Sequence, residues 1–261
     1  SLVEAIYETL HRENQVLVCA QSNTAVDWIA EKLVDRGVPV LRIGNPSRVN
    51  DKMLSFTYER RFEGHPAYTE LWGIRKSIRE MGNRMRKSSY SEREAARSRI
   101  NHLRERATEL EIQINEDLFS GARVIASTLV SSNHRILTGR RFTTLFIDEA
   151  AQALEAACWI AIRKADRVIF AGDHCQLPPT IKCIEAARNG LEQTLMEKVA
   201  ANKQETVSLL KVQYRMHQSI MQFSSEWFYQ GELQAAPEVT NRGILDLDLP
   251  KIGRASCRER V

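Results

Sequence analysis

Four short apolar runs alternate with helical periodicity along the chain, and this alternation restricts the fold more than any other feature. The runs are Val16-Leu17-Val18-Cys19-Ala20, Val124-Ile125-Ala126, Leu145-Phe146-Ile147 and Val168-Ile169-Phe170-Ala171. Short runs without polar alternation read as strands buried on both faces of a parallel sheet. Val38 to Ile43 is a weaker strand, and Pro39 sets it at a strand start or a sheet edge. Helical patterns cover 1–11, 24–36 and 153–162. Strand, helix, strand in that order predicts an α/β fold with right-handed crossovers.

One stretch breaks the alternation. Ile74, Ile78, Met81 and Met85 recur every three or four residues, and so do Ile100, Leu103, Ala107, Leu110 and Ile114. Each set is a one-sided apolar stripe, and Lys87-Ser88-Ser89-Tyr90-Ser91 forms a polar turn between them. The expectation is an inserted antiparallel helical hairpin over 46–117. From Ile74 to Arg99 it carries nine Lys or Arg against three Glu, a net +6. That charge suits a solvated helix face or a basic arm against a nucleic-acid backbone.

Composition bounds the class. With 43% hydrophobic and 27% charged residues the 261-residue chain can build a core and is not a disordered acidic or low-complexity chain. No apolar stretch reaches membrane-spanning length, and no signal peptide is recognisable. The five cysteines are scattered without a CxxC pair, as expected of reduced thiols in a cytoplasmic protein. The C-terminal Ile252 to Val261, IGRASCRERV, matches one reading frame of a widely used sequencing adapter residue for residue. Residues 251–261 are therefore expected to be foreign to the gene. They hold Lys251, Arg254, Arg258 and Arg260 against Glu259, so without them the net charge falls from +4 to +1. Bulk charge is then no argument for a nucleic-acid partner.

Four motifs carry chemistry. Phe142 to Gln152 is an apolar strand ending in Asp148-Glu149. Ligands bind at the C-terminal ends of parallel strands. There Asp148 can hold Mg2+ and Glu149 can orient and deprotonate a water, or the two can simply begin a helix. A second buried strand ends in Gly172-Asp173-His174-Cys175-Gln176-Leu177-Pro178-Pro179-Thr180. Asp173 can bond nearby backbone, two prolines stiffen the exit, and the Gln176 amide suits a phosphate or a lytic water. In Val212 to His217, Tyr214 offers a flat face for a base and Arg215 a fork for phosphate oxygens. In Cys19 to Asp27, Ser22, Asn23 and Thr24 can cap a helix or hold a phosphate of a bound strand.

Taken in order, these motifs resemble those of the superfamily 1 helicases, closest to the 5′-to-3′ group of the nonsense-decay and immunoglobulin-mu-binding helicases. Gln21 to Asp27 is similar to motif Ia, Asp148 to Gln152 to motif II, Gly172 to Thr180 to motif III and Gln213 to His217 to motif IV. Thr128 resembles an intermediate nucleic-acid-contacting motif. The resemblance implies two RecA-like domains with ATP between them and single-stranded DNA or RNA across the top. It further implies that Asp148 assists Mg2+, Glu149 is the catalytic base and Gln176 couples the γ-phosphate to the strand. Asp173 joins the nucleotide site, Tyr214 packs on adenine and Arg215 reaches the γ-phosphate.

On that basis 1–45 and 118–205 are the first RecA-like, P-loop NTPase-type domain, interrupted by the hairpin, and 206–250 begins the second. No GxxxxGK(S/T) phosphate loop occurs in the chain. The sequence therefore reads as a fragment lacking its first strand and P-loop, and these residues alone are expected to hydrolyse ATP negligibly. Residues from Ser208 to Pro250 are expected to pack poorly in isolation. Two alternatives remain open: a non-catalytic nucleic-acid clamp of helicase-like fold, and a P-loop ATPase that does not unwind.

Overall fold

The computed structural model describes residues 2–85 and 90–240. The tail at 251–261 and most of the expected hairpin turn lie outside the described residues. The chain divides into two compact units, Ser1–Asn202 and Lys203–Val261.

The first unit opens with helix α1 (Leu2–Thr9), strand β1 (Val16–Ala20), helix α2 (Asn23–Val34) and strand β2 (Val40–Ile43). Helices α3 (Asp51–Leu54), α4 (Tyr58–Glu63), α5 (Tyr68–Met85) and α6 (Tyr90–Ser120) follow. Then come β3 (Val124–Thr128), β4 (Phe142–Asp148), α7 (Glu155–Ile162), β5 (Ala165–Phe170), α8 (Ile184–Ala186) and α9 (Leu195–Asn202). All five strands are parallel in the order β2-β3-β1-β4-β5. The expected α/β parallel sheet is thus present. One face packs Leu17, Ile125, Leu145 and Ile147 with Phe119 and Cys158, and the other packs Val18, Ala126 and Phe146 with α1 and α2.

Two strands differ from simple expectation. β2 lies at an edge after Pro39, yet all four of its residues are buried. The following segment covers it: the Arg42 amide donates to the Phe56 carbonyl at 2.9 Å, and Arg42 bridges to Thr57. Covering an edge removes a template for unwanted strand pairing. β5 was expected to be buried on both faces. Among the described residues it has only β4 as a neighbour, and none of its residues is fully buried. An apolar run reports strand propensity, but the number of neighbours sets its burial.

The inserted segment is more than a hairpin. α3 and α4 precede the long helices: Met53 of α3 lies in the sheet core, whereas α4 joins sheet and hairpin, with Tyr58 packed on the sheet cluster and its hydroxyl donating to Asn115 of α6 at 2.7 Å. α5 and α6 pack side by side through Leu71, Ala107, Leu110 and Ile114, with Ile74 partly buried against them. The α6 stripe holds, with Ile100, Ala107, Leu110 and Ile114 buried, whereas Ile74, Ile78, Met81 and Met85 of α5 are only half-buried. Arg75–Glu111 at 2.6 Å and Arg106–Glu70 at 3.0 Å link the two helices, so part of the basic charge is paired internally.

In the second unit β6 (Val212–Gln213) pairs in parallel with β7 (Gln234–Ala235) around α10 (Gln218–Phe228), followed by α11 (Pro237–Thr240). Met221, Ala236 and Val239 are buried, while Leu210, Ile220, Phe223 and Trp227 are exposed. Among its described residues, two strands of two residues give little surface on which a core can form.

Candidate nucleotide and strand site

Because the sheet is parallel, the loops after β1, β3, β4 and β5 leave the same edge. They carry Gln21–Thr24, Thr128–Ser131, Asp148–Glu149 and Gly172–Gln176.

The loops after β4 and β5 are tied together. The Ala171 amide donates to the Ile147 carbonyl at 2.8 Å, and the Ala150 amide donates to the Ala171 carbonyl at 2.9 Å. Gly172 sits where a Cβ would meet the backbone nitrogens of Ala150 and Ala151 and the sulfur of Met196, each at 3.0 Å. Met196 can rotate aside; backbone nitrogens cannot without disturbing the loop. Gly172→Ala should therefore destabilise the fold by about 1–3 kcal/mol, as overpacking does, and a shift in the denaturant midpoint measures it.

Asp148 ends β4 half-buried, and Glu149 follows it exposed. Glu149 adopts the left-handed conformation, φ 52° and ψ 39°. For a residue with a Cβ this geometry costs on the order of 1–3 kcal/mol, and such outliers cluster at functional sites. Burial pushes the Asp148 carboxyl above its usual range; the Glu149 amide opposes this and the Glu149 charge reinforces it. A carboxyl whose pKa is raised on folding holds its proton more tightly in the native state. Its contribution to stability therefore falls as pH rises from the ordinary carboxylate range through the raised value. Asp148→Asn should accordingly raise the unfolding midpoint at pH 7. That gain should vanish as pH drops to where both states are protonated, and midpoints across an acid-to-neutral pH series test it.

Past Gly172 the loop folds on Asp173. Its carboxylate accepts from the Cys175 amide at 3.1 Å and from Gln176 Nε2 at 2.8 Å, while the Gln176 amide donates to the Asp173 carbonyl at 3.2 Å. Gln176 is exposed on this turn. α9 behind it starts with a reciprocal cap: the Thr194 amide donates to the Glu197 carboxylate at 2.7 Å, and the Glu197 amide to the Thr194 hydroxyl at 3.2 Å.

At the loop after β1, Ser22 caps α2, its hydroxyl accepting from the Ala25 amide at 3.1 Å. Ser22 and Thr24 are exposed. Asn23 is not free for a ligand in the same way, because its side-chain oxygen accepts from Arg42 Nη2 at 2.9 Å. Thr128, at the end of β3, is nearly buried, and its hydroxyl bonds the Ser131 hydroxyl at 2.8 Å and accepts from the Ser131 amide at 3.1 Å. Both residues shape the edge rather than project from it.

Sequence reasoning missed the group behind Asn23. Arg42 Nε donates to Asp27 Oδ1 at 2.8 Å, both side chains being almost wholly buried, and Arg42 Nη1 donates to the Ile43 carbonyl at 2.6 Å. Asp27 Oδ2 accepts from the Asn50 amide at 2.9 Å. A signal was present: Asp27 interrupts the apolar face of α2, and Arg42 interrupts an apolar strand. Two unmatched charges at core positions imply each other.

In the second unit the Gln213 side chain clamps the turn that holds Tyr214 and Arg215. It accepts from the amides of Arg215 at 2.7 Å and Met216 at 2.8 Å, and donates to the Met216 carbonyl at 2.7 Å. Tyr214 and Arg215 are both exposed, and His217 caps α10.

Comparison with known proteins fits this geometry. Two family models, each described as an AAA domain, match residues 1–183 and 191–253. The chain belongs to the AAA domain family. Among its relatives is the DNA polymerase alpha-associated DNA helicase A of Schizosaccharomyces pombe, 33% identical over 95% of this chain and 37% of its own length. An uncharacterized ATP-dependent helicase of Methanocaldococcus jannaschii is 29% identical over 93% of this chain and 42% of its own. A regulator of nonsense transcripts 1 homolog of Arabidopsis thaliana is 36% identical over 91% of this chain and 18% of its own. These matches bear out the resemblance to the superfamily 1 helicases. This AAA domain chain spans less than half the length of each of these relatives. Among its described residues, no helix is long and apolar enough to cross a membrane.

Proposed function

We propose that the chain is part of an ATP-dependent helicase or translocase acting on single-stranded DNA or RNA in the cytoplasm. The carboxylate pair at the end of β4 carries this reading. Asp148 is half-buried, Glu149 is exposed and held left-handed, and a glycine-anchored loop beside them presents Gln176. An exposed carboxylate fixed by its backbone rather than by partners is suited to take a proton from water attacking a phosphoryl group. Gln176, steadied by Asp173, is suited to hold that water or a γ-phosphate oxygen. Asp148 fits Mg2+: it is a hard oxygen ligand, and burial together with the neighbouring Glu149 charge disfavours its ionised form, a penalty that a cation offsets. Bound there, Mg2+ would neutralise phosphate charge.

For the strand, exposed Ser22 and Thr24 at the first turn of α2 would meet phosphate. Asn23 and Thr128 would act by fixing the two loops, since Arg42 and Ser131 occupy their side chains. Tyr214 and Arg215, exposed on a clamped turn, would serve adenine and the γ-phosphate.

The test is ATP turnover and strand displacement by the parent protein, with and without single-stranded DNA or RNA. Stimulation of turnover by nucleic acid is expected. Turnover indifferent to both polymers would overturn the proposal, and stimulation without displacement would reduce it to a translocase.

A further inference from the structure

His174 and Cys175 have no part in the ATP chemistry proposed above, which needs only Asp173 and Gln176 of this loop. Yet a carboxylate oxygen of Asp173, an imidazole nitrogen of His174 and the Cys175 sulfur all lie within 4.8 Å of one another. Among the described residues no other three His, Cys, Asp or Glu side chains gather in this way. The backbone brings them together. The Asp173 carboxylate accepts from the Cys175 amide at 3.1 Å, and the turn closes from the Gln176 amide to the Asp173 carbonyl at 3.2 Å. Gly172 fixes the base of the turn against Ala150, Ala151 and Met196. His174 is exposed, and Asp173 and Cys175 are half-buried, so an ion can reach all three from solvent.

We propose that Asp173, His174 and Cys175 form a site for a borderline transition-metal ion of the Zn2+ class, with water completing the coordination. The donor set selects the ion. Zn2+ takes thiolate, imidazole and carboxylate in tetrahedral geometry at about 2.0–2.3 Å, which sets its ligand atoms roughly 3–4 Å apart. The three ligand atoms, within 4.8 Å of one another, must draw closer to reach that spacing. Mg2+ and Ca2+ require oxygen ligands and are poorly served by sulfur and nitrogen, so this site does not duplicate Asp148. Other described cysteines offer less. Cys19 and Cys158 are buried, out of reach of an ion from solvent. Cys183 is exposed, outside any such cluster.

Occupancy would act on the loop itself. Gln176 Nε2 donates to Asp173 Oδ2 at 2.8 Å and the Cys175 amide to Oδ1 at 3.1 Å, so an ion drawing on this carboxylate would weaken a hydrogen bond that now shapes the turn.

The test uses Co2+ as a spectroscopic stand-in, titrated into the reduced 261-residue chain. A thiolate-to-cobalt charge-transfer band with strong visible bands of tetrahedral Co2+ is expected at one ion per chain, bleached by Zn2+. Cys175→Ser should abolish the charge-transfer band. His174→Ala should weaken Co2+ binding by more than about tenfold, since even outer-shell partners carry 10–100-fold. Cys183→Ser and Cys257→Ser should change nothing. Circular dichroism checks that each variant is folded. No charge-transfer band at large excess of Co2+ overturns the proposal. So does a band that survives Cys175→Ser, or one that is lost with Cys183→Ser or Cys257→Ser. ATP turnover enters none of these readouts, so failure here leaves the helicase proposal standing.

Discussion

Glu149→Gln in the parent protein is expected to lower ATP turnover by about 10²- to 10⁴-fold, the range a positioned general base contributes. Nucleotide affinity should stay within a few-fold, because Gln keeps the size and polarity of Glu and loses only the basic oxygen. A loss of binding equal to the loss of turnover would mean that Glu149 holds the nucleotide rather than the water. Glu149 sits at φ 52°, so a collapsed loop must also be excluded as the cause. Glu149→Gly does that. Relief of the left-handed strain is worth about 1–2 kcal/mol. Glycine's extra backbone entropy costs about 0.5–1 kcal/mol. The relief outweighs the cost, so Glu149→Gly should be as stable as the parent or more so, and as inactive as Glu149→Gln. A fall in both stability and activity would make Glu149 a structural residue and remove it from the mechanism.

Much of this site was legible in the sequence because its parts are local. Val16–Ala20 and Leu145–Ile147 are continuous apolar runs, and the polar residues following them had to emerge at one edge once the sheet was parallel. Ser22 as a cap and Asp173 as the holder of its own turn follow from side chains that bond backbone two or three residues away. The parts that were not legible are long-range or conformational. Nothing in Asp148-Glu149 announces a left-handed Glu149, which depends on the Ala150 to Ala171 hydrogen bond and on Gly172 pressed against Ala150. Helices α3 and α4, of four and six residues, are too short to show a period. The exposure of β5 depends on which strand lies beside it, and one run of residues does not contain that.

The second large effect belongs to the pair that sequence reading passed over. Arg42→Ala or Asp27→Ala should each destabilise the first unit by about 3–5 kcal/mol, since either leaves a buried charge without its counter-charge. The side chains of Arg42 and Asp27 are 0% and 3% exposed, so solvent cannot compensate. More than the ion pair is at stake, because the same two residues hold Asn23 at the start of α2, the Ile43 carbonyl and the Asn50 amide. Each single variant therefore strands several polar groups. The double variant Asp27→Leu/Arg42→Met removes both charges and should cost less than either Ala single variant, as apolar replacement of buried pairs often does. Denaturant unfolding of the singles and the double gives the coupling energy directly. If the double loses as much as the two singles added together, the charges do not depend on each other. If it recovers stability but the parent's nucleic-acid-stimulated ATP turnover stays low, the network is kept for what it does to the Ser22–Thr24 loop. A charged tether beneath a strand-binding edge would then be fixing the edge's shape, and stability alone would not account for its burial.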